Sequence, residues 1–205
     1  MKIIDNFDLF KSVLKFNSDD EFYFLQILIR GKDGHTEPGI NGNNKNRLIK
    51  YYTITSVNHL SNIEDEVKTI CDGLNARAYI HPTKRSFKDV ADEMLRITTE
   101  EYLSKHTVGL KGAYSRACGI SYITSDKKFV VDLDGDYAKR SQEIAEYIEQ
   151  FCEPIGKIKT QYVVPTAHGI HLITTPFNTQ KFSEYYNGID VHKNNPTLLY
   201  FKSLI

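Results

Sequence analysis

Asp132, Asp134 and Asp136 recur at every second position where an apolar run ends, in Lys128-Phe-Val-Val-Asp-Leu-Asp-Gly-Asp. Along an extended strand, residues two apart share a face, so Asp132 and Asp134 project side by side, and Asp136 follows if the strand persists. Adjacent carboxylates repel and burial does not neutralise them cheaply, so such a pair at a strand end suits a bound divalent cation or a cationic partner. The competing account is a solvated turn, because Asp-Gly-Asp is also good turn chemistry. Asp136, beyond Gly135, is expected to cap the helix that follows.

Two later stretches carry further polar groups. Pro165-Thr166-Ala167-His168-Gly169-Ile170-His171 reads as a turn between two strands, and Gly188-Ile189-Asp190-Val191 begins a later strand. His168 beside Gly169 could be a loop residue or a ligand, and Asp190 a strand-start acid or a functional one. His171 is an odd number of residues from His168, so on a regular strand the two face opposite ways, and His171 is read as structural. His192 adjoins the third acid. The basic residues form two local groups, Arg77 with Lys84, Arg85 and Lys88, and Arg30 with Lys32. Either group could contact nucleic-acid phosphates or belong to a solvated face.

The elements that position these residues follow from periodicity. Phe7, Phe10, Val13 and Leu14 share a helical stripe, and Glu21 to Arg30 and Arg47 to Val57 read as two paired strands joined by a polar loop, Gly31 to Asn46. Ser61-Asn62-Ile63-Glu64 matches a capping box opening a helix with Ile63, Val67, Ile70 and Leu74 inward and Cys71 in the core. A short strand over 75–80, a helix capped by Ser86 and a helix over 109–117 complete the first half. From residue 120 the order is strand (127–134), helix (137–151, with Ile144, Ile148 and Phe151 inward), strand (158–165), strand (169–175), helix (179–186) and strand (188–193). A last apolar strand, Thr197 to Phe201, follows. The class is therefore α/β (α+β): an N-terminal mixed subdomain, 1–119, packed on a C-terminal split βαβ, RNA-recognition-motif-like sheet, 120–205. In such a sheet the first and third strands are central, which lets distant acids and a histidine share one face.

Composition narrows the rest. The 205 residues fit one domain or two subdomains with a common core, and 26 basic against 26 acidic residues exert no global pull on nucleic acid. Cys71, Cys118 and Cys152 are too far apart for a local zinc ribbon or a disulfide framework, which suits a reducing, cytoplasmic setting. No signal peptide or apolar run of membrane-spanning length is read.

Taken in order, Val131-Asp132-Leu133-Asp134, Thr166-Ala167-His168 and Ile189-Asp190 resemble the three motifs of the archaeo-eukaryotic primase superfamily, the primase-polymerases: Asp-x-Asp after an apolar strand, a small hydroxyl residue two before a His, and an apolar residue followed by Asp. Lys193-Asn194 and Leu198-Leu199-Tyr200 are similar to the family's ending. The likeness covers roughly residues 120–205; the first half resembles the family only loosely. It implies a template-dependent nucleotidyltransferase using Mg²⁺ or Mn²⁺, with Asp132, Asp134 and Asp190 as catalytic metal ligands and Thr166, His168 and Gly169 on the triphosphate. Arg77, Lys84, Arg85, Arg30 and Lys32 would contact nucleic acid. The partners implied are a single-stranded template, nucleoside triphosphates and a helicase or other replication protein, in a cell, phage or plasmid system. The chain departs from the family at Asn195-Pro196-Thr197, where relatives often carry additional basic residues, and has neither zinc module nor helicase domain, so priming could require a partner. Competing functions are a metal-dependent nuclease or nickase, a non-catalytic nucleic-acid-binding module, and a degenerate polymerase that scaffolds a replication complex.

Overall fold

The computed structural model describes residues 2–31 and 46–203, so Lys32 and nearly all of the expected polar loop lie outside the described residues. Among the described residues, seven α-helices and two antiparallel sheets give the mixed α+β class. The first sheet has six strands: β1 (Ile3–Asp5), β2 (Glu21–Ile29), β3 (Arg47–Ile54), β4 (Arg77–Ile80), β5 (Arg85–Ser86) and β10 (Thr197–Lys202). They run in the order β1-β10-β4-β2-β3, with β5 on β2. Because β2 is central, its alternation buries both sets of side chains. Phe22 and Phe24 pack with Val90 and Ile97 of α3 (Phe87–Leu103) and Ala117 of α4 (Ala113–Ile120). Leu25 and Ile27 pack with Phe7 and Phe10 of α1 (Phe7–Val13) and Leu60, Val67 and Cys71 of α2 (Val57–Leu74).

The second sheet holds β6 (Phe129–Asp134), β7 (Thr160–Pro165), β8 (Gly169–Thr174) and β9 (Asp190–His192) in the order β7-β8-β6-β9. Phe129, Val131 and Leu133 of β6 point to one face, over Ile144 and Ile148 of α6 (Ser141–Phe151) and Phe182 of α7 (Thr179–Tyr185). Val130 points to the other, where it joins Val164, Ile173 and the core of the first sheet. The two sheets thus share one apolar interior. No helix among the described residues is long and apolar enough to cross a membrane.

The structure corrects several expectations. The last strand, grouped by its position in the chain with residues 120–205, pairs with β1 and β4 and completes the first sheet. Helix α2 opens at Ser56, whose side chain accepts from the His59 amide, while the Ser61 hydroxyl donates to the Val57 carbonyl inside the helix. The apparent capping box is thus a mid-helix pair; its Glu64 instead binds Lys11 and Lys68. The expected helix over 137–151 breaks at Arg140 into α5 (Asp136–Lys139) and α6. Asp136 makes no capping bond: Gly135, at φ 59°, occupies the cap, and Asp136 pairs with Lys139. Phe151, expected inward, is 51% exposed and lies against Tyr147, while the next residue, Cys152, is buried in the core.

Candidate active site

The strand that carries the acids is held in register on both sides. Asp132 lies opposite His171 of β8 and Asp190 of β9, and Asp134 opposite Gly169. Directly opposed residues of an antiparallel pair share a face. The row His171-Asp132-Asp190 therefore crosses the sheet on the face turned away from α6 and α7. Asp134 extends the row along β6, and Gly135, in a positive-φ conformation that suits glycine, turns the chain aside immediately afterwards.

An open cleft lies against this face, lined by Asp132, Asp134, Thr166, His168 and His171 from the second sheet and by Arg30, Arg77 and Tyr79 from the first. Two of the three sequence motifs therefore meet in one cavity, although more than thirty residues separate them. Asp190 stands one strand outward on the same face, exposed and outside the cleft lining.

The turn at 166–168 is built as a brace. Thr166 N–H donates to the Gly169 carbonyl at 2.9 Å, and Gly169 N–H donates to Thr166 Oγ1 at 3.0 Å. Thr166 is buried, so its hydroxyl holds the turn. Asn6 ties this turn to the first sheet, its Nδ2 donating to the carbonyls of Pro165 at 3.0 Å and Leu198 at 2.9 Å. His168 is left exposed at the cleft wall, with its carbonyl 3.5 Å from the Gly135 amide that donates to it. Gly169 has a packing role between the two strands. A Cβ there would meet the Leu133 carbonyl oxygen at 2.0 Å and Asp134 Cα at 2.9 Å, so only glycine lets β8 lie against β6 at the acids.

His171, read from the sequence as structural, is in the cleft. Its Nε2 is 3.4 Å from Asp132 Oδ1, and its Nδ1 is 2.7 Å from Thr197 Oγ1 on β10. The polar contact with His171 holds the Asp132 carboxyl below its ordinary value of 3.8, against the opposing effect of burial, with smaller contributions from His192 and Arg30. Counting from His168 misplaced His171, because His168 is in the turn and the strand parity starts at Gly169. The available signal was a lone histidine within Ile170-His171-Leu172-Ile173. Thr197 carried no signal, since its role depends on β10 crossing to the first sheet.

The basic residues divide. Arg30 and Arg77 line the cleft opposite the acids, but Arg77 is buried at 6% exposure, its guanidinium 4.1 Å from the centre of the Phe201 ring. Lys84 and Arg85 are 3% and 0% exposed and do not form the expected surface patch. Lys84 pairs with Glu21 at 2.7 Å. Arg85 donates to the carbonyls of Thr83 and Cys118 and to Asn194 Oδ1, beside His81 Nδ1. Burial lowers the Arg85 guanidinium to about 10, which leaves it charged at neutral pH, and pushes His81 well below its usual range so that it stays neutral. Both groups serve the junction between β4, α4 and the loop after β9.

Among the described residues no three His, Cys, Asp or Glu side chains are grouped closely enough to hold a metal ion. The donor set still fits a hard divalent cation. Mg²⁺ characteristically takes one or two protein carboxylates and completes its shell with water and substrate phosphate oxygens; an ionised Asp132 beside an exposed Asp134 supplies that minimum. Comparison with protein-family models, curated proteins and solved structures returns no match.

Proposed function

We propose that the chain is a template-dependent nucleotidyltransferase, a DNA primase or polymerase, that joins nucleoside triphosphates in the cleft between its two sheets. The observation that carries this reading is the meeting of Asp132 and Asp134 with Thr166 and His168 in one cavity whose opposite wall presents Arg30 and Arg77. The strand order β9-β6-β8-β7, all antiparallel with helices after the first and third strands, also agrees with the split βαβ, RNA-recognition-motif-like arrangement expected of such an enzyme.

In this reading the 3′ oxygen of a primer attacks the α-phosphorus of the incoming nucleotide and pyrophosphate leaves. Asp132 and Asp134 would hold Mg²⁺ or Mn²⁺, which when bound assists ionisation of the attacking hydroxyl and offsets charge on the leaving group. His168, at the exposed edge, and Arg30, on the far wall, are placed to donate to triphosphate oxygens. His171, braced by Thr197, keeps Asp132 ionised and oriented. Purified protein supplied with Mn²⁺ or Mg²⁺, labelled nucleotides and a primed single-stranded template is expected to extend the primer. Asp132→Ala should reduce incorporation by about 100-fold or more, the scale of losing a charge-stabilising group at a reacting centre; unchanged activity in that variant would refute the assignment.

A second reading is a nucleotide-binding scaffold of a replication complex, with Asp190 exposed beside Asp132 on edge strand β9. Nucleotide binding that requires Asp132, without incorporation under any metal, would decide for it.

A further inference from the structure

The helices of the first sheet leave part of one of its faces open. Phe22 and Phe24 of β2 lie beneath α3 and α4, while Leu25 and Ile27 are buried on the opposite face against α1 and α2. Gln26 and Leu28 continue the Phe24 face along the strand, and both are partly exposed. The strand registers extend this face sideways. Gln26 is opposite Tyr79 of β4 on one side and Tyr51 of β3 on the other, and Tyr79 is opposite Leu198 of β10. Directly opposed residues share a face, so Leu198, Tyr79, Gln26 and Tyr51 form one row across four strands.

The row begins in the cleft and ends at the edge of the sheet. Leu198 and Tyr79 line the cleft, as does Arg30, two residues beyond Leu28 at the end of β2. Tyr51 stands outside the cleft lining, on edge strand β3. Its ring centre is 5.8 Å from that of Phe24 and 5.3 Å from that of Tyr114 on α4, and the residue is still 41% exposed. A ring held by such neighbours has little freedom left to lose when a ligand stacks on its open side. Two inter-strand spacings, about 10 Å, separate Tyr79 from Tyr51. Between them the Gln26 amide can both donate to and accept from the edges of bases. Rings beside an amide and a flanking guanidinium suit a single strand, whose bases stack and whose phosphates seek charge. An aliphatic protein surface laid on the same row would bury the amide unpaired.

We propose that the row Tyr79-Gln26-Tyr51 is the path by which single-stranded nucleic acid leaves the cleft across the first sheet. The proposal rests on the nucleotidyltransferase reading for the strand's role as template, but its test reads the row apart from the chemistry. Anisotropy of a labelled oligodeoxythymidine strand, titrated at several salt concentrations, should show binding by the wild-type chain. Tyr51→Ala should weaken that binding at least about fivefold, the scale of losing one base–ring stack. Its logarithmic salt slope should be unchanged, because no charge is removed. Tyr51→Phe should bind as the wild type does, since the ring and not the hydroxyl makes the contact. The chain has no tryptophan, so Tyr51→Trp places a single fluorophore at the end of the row, and saturation with the strand should quench it. Thermal melts establish that each variant is folded; should Tyr51→Ala melt early, the quench in Tyr51→Trp decides. Binding of a nucleoside triphosphate with Mn²⁺, measured by calorimetry, and primer extension read the cleft separately. Strand binding that depends on the Tyr51 ring, in a chain that neither binds nucleotide nor extends a primer, would sustain the path and remove the enzyme reading. Wild-type affinity in a folded Tyr51→Ala, an unquenched Tyr51→Trp at saturation, or no strand binding by the wild type would overturn the path and leave the enzyme reading standing. A dimer seen by sedimentation that dissociates in Tyr51→Ala, without strand binding, would overturn it in favour of a second copy of the chain on this face.

Discussion

Single atoms at two positions decide how the acids of β6 are presented. Gly169 has no room for a methyl group, because the atoms it would strike belong to the Leu133-Asp134 backbone and cannot swing aside. Gly169→Ala is therefore expected to destabilise the chain by about 2 kcal/mol or more, the cost of forced displacement in a packed sheet. Denaturant unfolding measures the loss, and nucleotide binding should weaken with it because Asp134 moves. His171 shows the complementary case of a residue visible in the sequence but misassigned. Its strand parity relative to Asp132 was unknowable until the hairpin register was fixed, and that register depends on Gly169.

At the level of elements, strong periodicity was legible and pairing was not. The amphipathic stripes of α1 and α6, the Ser86 cap and the strands β2, β6 and β8 all follow from residue spacing, because one buried face imposes a period on each. The capping-box pattern at 61–64 misled because Glu64 serves a different contact. It bridges α1 and α2, accepting from Lys11 at 2.5 Å and Lys68 at 2.6 Å, and Lys68 also reaches Asp5 of β1 at 2.5 Å. Although partial burial acts in the opposite sense, these lysines hold the Glu64 carboxyl below its ordinary 4.5. The stabilisation is therefore complete above that value and disappears as pH falls through the lower, folded value. Glu64→Gln should cost less than about 1 kcal/mol at neutral pH, since solvent screens the group, and urea titrations should show the difference closing in acid. Lys84 and Arg85 were illegible for another reason. A basic pair beside a helix start looks solvated, and only the return of Asn194 to the β4–α4 junction shows why a guanidinium is buried there.

For the whole molecule, the boundary near residue 120 is crossed by the return of the chain. β10 lies between β1 and β4, so the first sheet is incomplete without the final strand. Residues 1–119 expressed alone are expected to lack cooperative unfolding by circular dichroism, and adding a peptide spanning 196–203 should restore part of it. Cooperative melting of 1–119 by itself would show that β10 is dispensable. The same strand carries Thr197 to His171 and so joins the first sheet to the acid cleft. For this reason a cut between two halves does not separate scaffold from site.

The pairing of β1 with β10 has one more consequence. Ile3 is opposite Lys202, and the Ser203 amide donates to the Lys2 carbonyl at 2.8 Å. The two ends of the described chain are thus neighbours, and the backbone is topologically close to a ring. A circular permutant joining residue 203 to residue 2 by a short glycine linker, opened instead at the exposed turn around Gly156, should fold with the same contacts and bind nucleotide with the same affinity.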